Sequence, residues 1–224
     1  IGVSGIAIDP TDSNIIYIAT GDDDAGDSTS VGVMKSTDGG VTWNTTGLNE
    51  SNSPLTMNEI YFDPADNKTL WLATSEGVYK TIDSGLNWEN KITGNFDDLK
   101  VKPGSSDIVY AATTNRVYRS LDAGETWTNV SAGVITGAAR LVLDVTPANP
   151  EVLYVFKSDT GFGSGSIFKS TDSADTFVET FTGSQDIFQS TQAWFDMAFA
   201  VSDTNEDEIY TGILNVWKTT NGGA

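Results

Sequence analysis

The chain contains no cysteine and no histidine. Disulfides, thiol nucleophiles, Ser-His-Asp relays and zinc sites built on Cys or His are thereby excluded, although the lack of cysteine assigns no compartment. Basic residues are scarce, with 12 Lys and Arg against 31 Asp and Glu, a formal charge of −19. Such a field repels phosphate backbones and anionic lipid, so no nucleic-acid partner is expected. No run of about 18 apolar residues is present, and no membrane insertion is expected. No stretch keeps a helical period, while Gly, Asn, Asp and Ser interrupt the chain every ten residues or so. The sequence opens on Ile1 and stops at Ala224 inside a repeated motif. A piece of a longer polypeptide with other domains is expected.

What is present is one phrase, five times over. Ser36-Thr-Asp38-Gly-Gly40-Val-Thr-Trp43 returns as Thr81-Ile-Asp83-Ser-Gly85-Leu-Asn-Trp88 and as Ser120-Leu-Asp122-Ala-Gly124-Glu-Thr-Trp127. A looser copy runs from Ser170 through Asp172 to Phe177, with Ala174 in the glycine position, and a fifth begins at Thr219 with Asn221 for the aspartate. The third positions follow one another at 45, 39, 50 and 49 residues. That period signals stacked or radial repetition. A hydroxyl and a carboxylate two residues apart can fold onto backbone amides and tie a tight turn. The glycine supplies a backbone angle that side chains resist, and the aromatic is expected to start the next strand.

The remainder of each repeat falls into register around the phrase. Two strand-like stretches precede it, 3–9 and 15–20 in the first copy, joined by a short polar turn, usually with proline. A third short strand ends on a basic residue (Lys35, Lys80, Arg119, Lys169, Lys218) just before the phrase. Four antiparallel strands per unit, repeated radially, predict an all-β propeller; an open β-solenoid is the competing architecture. The repeats run approximately 1–50, 51–93, 94–132, 133–183 and 184–224.

In such a blade the phrases share one face with the regular turns between first and second strands, and the irregular loops share the other. Binding is expected on that loop face. It carries Asp22, Asp23, Asp24 and Asp27, with Phe162, Phe188 and Trp194 as aromatics that can stack on sugar or insert into a partner. Trp194 leads into an innermost strand, so core packing is the weightier expectation for it, as for Trp71 and Trp217. Asp22, Asp24 and Asp27 put hard oxygen ligands on one turn, a possible calcium site; no other cofactor is expected.

The phrases resemble the Asp-box, or bacterial neuraminidase repeat, across nearly the whole chain. The wording of the first repeat is similar to sortilin-like propellers of large secreted proteins, many from Bacteroidetes. The resemblance implies a propeller of about seven blades, of which five are seen here. It implies a secreted or cell-surface bacterial protein in which the boxes are peripheral and structural. That assigns Ser36, Asp38, Gly40, Trp43, Thr81, Asp83, Gly85, Trp88, Ser120, Asp122, Gly124, Trp127, Ser170, Asp172 and Phe177 to the scaffold. Sialidases of this kind hold a carboxylate with three arginines, and Arg116, Arg119 and Arg140 are poorly spaced for that. Xyloglucanase-type hydrolases need two facing carboxylates, one near the end of an early second strand, where Asp22 and Asp24 stand. The leading expectation is a non-catalytic module that binds a glycan or protein through its loop face. The alternative is a fragment of a xyloglucanase-type glycoside hydrolase acting on β-glucan-like polysaccharide.

Overall fold

Nineteen strands and no helix appear in the computed structural model, which describes residues 1–21, 28–49, 56–183 and 190–224. The strands form five consecutive antiparallel sheets, each a meander. The first contains β1 (Val3–Ile8), β2 (Ile16–Thr20), β3 (Gly32–Ser36) and β4 (Asn44–Asn49). The second contains β5 (Met57–Phe62), β6 (Leu70–Thr74), β7 (Gly77–Thr81) and β8 (Glu89–Thr93). The third contains β9 (Asp98–Val101), β10 (Val109–Thr113), β11 (Arg116–Ser120) and β12 (Thr128–Asn129). The fourth contains β13 (Ala138–Val145), β14 (Leu153–Asp159), β15 (Gly165–Ser170) and β16 (Val178–Gly183). The fifth has three strands among the described residues, β17 (Ala198–Ser202), β18 (Asn205–Gly212) and β19 (Val216–Thr219). The fold is a β-propeller, and each sheet is a blade.

Its core lies between blades rather than within one. Each of four apolar clusters takes residues from two successive sheets, such as Tyr17 and Val33 with Ile60 and Leu72, or Trp71 and Val78 with Leu99 and Val109. The second strands of the three middle blades are therefore buried on both faces, which explains the unbroken Leu-Trp-Leu-Ala of β6. The outer faces of the end blades stay open: Ile6 and Ile8 on the first, Val216 and Trp217 on the fifth. Trp217 is 37% exposed, against the expectation of core packing, because no described blade covers that face.

Each turn phrase folds on itself. The Ser36 hydroxyl donates to Asp38 Oδ1 at 2.8 Å and accepts the Asp38 and Gly40 amides at 3.2 and 2.8 Å. Asp38 then accepts the Thr42 amide and hydroxyl, at 2.8 and 2.5 Å. These bonds, the Thr42 hydroxyl first, hold the Asp38 carboxyl down at about 2. The copies at Asp83, Asp122 and Asp172 repeat the pattern. Two successive residues are left-handed in every complete copy, Gly39–Gly40, Ser84–Gly85, Ala123–Gly124 and Ser173–Ala174.

The tryptophans differ from expectation in one respect. The fourth strand starts one residue after them, and Trp43 and Trp127 turn back to donate their indole N–H to Gly40 and Gly124 at 3.0 Å. They close the turn instead of opening the strand.

The basic residue before three of the phrases, Lys80, Arg119 and Lys169, joins blade to blade. Lys35, Lys80 and Lys169 lie 5.1, 4.6 and 5.3 Å over the rings of Tyr17, Trp71 and Tyr154 on the neighbouring strand. From there Lys80 donates to Ala123 O at 3.1 Å, and Lys169 to Asp207 at 2.7 Å. Arg119 likewise reaches Ser173 O and pairs with Asp175 at 2.8 Å. The aromatic hydroxyls do the same work, with Tyr17 donating to Ser84 O and Tyr154 to Glu206 O, both at 2.9 Å.

Candidate functional site

The innermost strands β1, β5, β9, β13 and β17 surround an axial cavity of about 850 Å³. Its wall carries Asn58, Glu59 and Tyr61 from β5, Asp98 and Lys100 from β9, and Asp144 from β13. Towards the loop face it is completed by Arg140, Phe162 and Trp194. Strand alternation puts Glu59, Tyr61, Asp98, Lys100 and Asp144 inward while Ile60, Leu99 and Leu143 go to the core, and an irregularity between Met57 and Glu59 brings Asn58 to the same side.

Three of these groups bind the next blade. Asn58 donates to Phe96 O at 2.8 Å. Asp98 accepts the Leu143 amide at 2.6 Å, and Asp144 accepts the Val201 amide at 2.7 Å. Lys100 pairs with Asp98 at 2.6 Å, donates to Leu99 O at 3.3 Å and lies 4.7 Å from the centre of the Tyr61 ring. Together they join the second, third, fourth and fifth blades at the axis.

Glu59 is the strongly displaced acid. Burial raises its carboxyl to about 7, Lys100 opposes the shift, and Asp98 and Asp144 add to it. Burial likewise raises the Asp144 carboxyl. The folded chain therefore holds the Glu59 proton over an interval in which the unfolded chain, releasing it near 4.5, does not. More protons bound in the folded state mean that stability falls as pH rises from about 4.5 to 7. Glu59→Gln removes that cost. The variant is expected to be more stable than the parent at pH 8 by about 2–3 kcal/mol and no more stable at pH 4. Denaturant midpoints at the two pH values check this.

Asp22, Asp23, Asp24, Asp27 and Phe188, and with them the calcium expectation, lie outside the described residues. Among the described residues no group of three acidic side chains is placed to hold a metal ion. Phe162 has left-handed backbone (φ 59°) and packs half-buried against the cluster between the fourth and fifth blades. Trp194 is 41% exposed, not packed in the core. The turn at 190–195 carries it onto the cavity rim, its ring 4.2 Å from that of Phe195 and its carbonyl bonded to the Arg140 guanidinium. The three arginines do not converge: Arg116 borders a separate hollow, Arg119 lies between blades, and Arg140 lines the axial cavity. Sequence reasoning did not single out Glu59, Asp98, Lys100 or Asp144. The available signal was a charged residue recurring in otherwise apolar inner strands.

No family model matches the chain. A xyloglucanase of Paenibacillus sp is 34% identical over 100 residues, 41% of this chain and 10% of that protein. The xyloglucanase Xgh74A of Acetivibrio thermocellus is 38% identical over 95 residues, 39% of this chain and 11% of that protein. The chain thus spans about a tenth of the length of the curated relatives it matches. Among solved structures, the GH74 enzyme of Niastella koreensis superposes over 99% of this chain and 37% of its own, with a TM-score of 0.72 at 20% identity. An ancestral GH74 enzyme gives 0.72 at 17% identity, over 98% of this chain and 31% of its own. Nidogen in complex with laminin gives 0.57 at 11% identity, over 96% of this chain and 79% of its own. The structural neighbours share the propeller fold, and the curated relatives similar in sequence are xyloglucanases.

Proposed function

We propose that the chain is part of the propeller of a xyloglucanase-type glycoside hydrolase and contacts a β-glucan-like polysaccharide through its loop face. The observation that carries the reading is the 34–38% identity to xyloglucanases over 95–100 residues. The geometry supports it with Trp194, an exposed ring on the rim of a cavity otherwise lined by hydrogen-bonding groups, the combination that a pyranose takes up. Asp22 or Asp24 is the proposed carboxylate on this side of the cleft, opposed by one from outside the chain. The protein is proposed to act outside the cell, at its surface or in the medium, where polysaccharide is met.

The test is retardation of the chain in native gels containing xyloglucan, together with reducing-sugar release. Trp194→Ala is expected to weaken retention about tenfold, corresponding to one stacking contact. Turnover abolished by Asp22→Ala or Asp24→Ala places the acid in this chain. Retention without turnover leaves a carbohydrate-binding propeller, and absence of both refutes the reading.

A further inference from the structure

The axial cavity contains a carboxyl that, among the described residues, accepts no hydrogen bond from a neighbouring blade. Asp98 and Asp144 hold backbone amides of the next blade, and Asn58 holds a carbonyl. Among the described residues the hydrogen-bond partner of the Glu59 carboxyl is the amide of Ile60, next to it in the chain. The ionisable groups that act on it are Tyr61 on its own strand, Asp98 and Lys100 on β9, and Asp144 on β13, with Asp97 and Arg140 also in the cavity lining. β1 and β17, the other two inner strands, contain no ionisable residue.

This arrangement selects ligands by charge. An anion meets Asp97, Asp98 and Asp144 against two cations, Lys100 and Arg140, and a cation must displace Lys100 from a 2.6 Å pair. A neutral molecule rich in hydroxyls meets neither obstacle. It can both donate to and accept from a carboxyl that is itself neutral, and it can lay a CH face on Trp194 or Phe162. The volume, about 850 Å³, is that of a small-ligand site.

We propose that the axial cavity is a binding site for an uncharged sugar, with Glu59 as its hydrogen-bonding centre. The assignment rests on the β-glucan reading above and names the residue that would hold the glycan there. Glu59 donates only while protonated, so affinity falls as pH rises through about 7. Gln, a permanent neutral donor, should preserve binding and abolish the pH dependence.

Titration calorimetry with xyloglucan oligosaccharides at pH 5 and pH 8.5 tests this, with thermal melts of each variant under the same conditions. The parent is expected to bind about tenfold more weakly at pH 8.5, the worth of one hydrogen bond to a buried group. Glu59→Gln should bind equally at both, and Glu59→Ala about tenfold more weakly than the parent at pH 5. Parent-like affinity and pH dependence in a folded Glu59→Ala overturn the cavity assignment and leave the β-glucan reading standing. A parent that neither binds nor cleaves xyloglucan at either pH overturns both.

Discussion

Asp98→Ala is expected to destabilise the protein by about 3–5 kcal/mol, the usual cost of removing one partner from a buried ion pair. Asp98 is 5% exposed and serves three groups: Lys100 Nζ at 2.6 Å, the Leu99 amide at 2.7 Å and the Leu143 amide at 2.6 Å. Its loss leaves an ammonium at the axis without its nearest anion and an amide of the next blade without an acceptor. The orphaned amide alone costs about 1–3 kcal/mol; the uncompensated Lys100 makes the larger part. Asp98→Ala combined with Lys100→Met should therefore recover part of the loss, since replacing both partners by apolar groups is often neutral. Glu59 offers a second check. With Asp98 gone, Lys100 draws the Glu59 proton off more readily, so Asp98→Ala should be less damaging at pH 8 than at pH 5. Chemical denaturation of the two variants at both pH values measures all of this.

The parts that the sequence made legible are those whose geometry is local. A hydroxyl, a carboxylate and a glycine within five residues specify the turn at Ser36–Gly40 without help from the rest of the chain, and its recurrence dictates the repeat. The axial site is not local. Asp98 and Asp144 each bond an amide in the following blade, 45 and 57 residues away, and alternation alone reads both as ordinary solvent-facing positions. Only the closing of blades around an axis turns that polar face into a cavity. Trp194 shows the same limit in reverse. Its place before an innermost strand suggested burial, and a bent turn leaves it on the rim instead. The basic residues before the phrases were visible as a pattern, but the role of Lys80, Arg119 and Lys169 depends on a partner one blade further on, as Lys80 depends on Ala123.

The second large effect is expected at Trp71, where truncation to Ala should cost about 3–5 kcal/mol. The side chain is fully buried between the second and third blades, beneath the Lys80 ammonium and against Gly124 of the next turn phrase. The other second strands place a smaller ring, Tyr17, Tyr110, Tyr154 or Tyr210, at this position. The difference is matched across the interface. A methyl on Gly124 would stand 2.7 Å from the indole, whereas one on Gly85 would stand 3.4 Å from Tyr17, and the fourth phrase already has Ala174 in the cluster that holds Tyr110. Gly124 is also left-handed, with φ at 92°, so Gly124→Ala combines backbone strain with overpacking, about 2–4 kcal/mol in all. If Trp71 and Gly124 form one fitted pair, Trp71→Tyr should relieve the overpacking part of that loss, and the double variant should melt above Gly124→Ala alone. Strict additivity would mean that the indole and the glycine are independent, and the interface between the second and third blades would then owe its fit to other contacts.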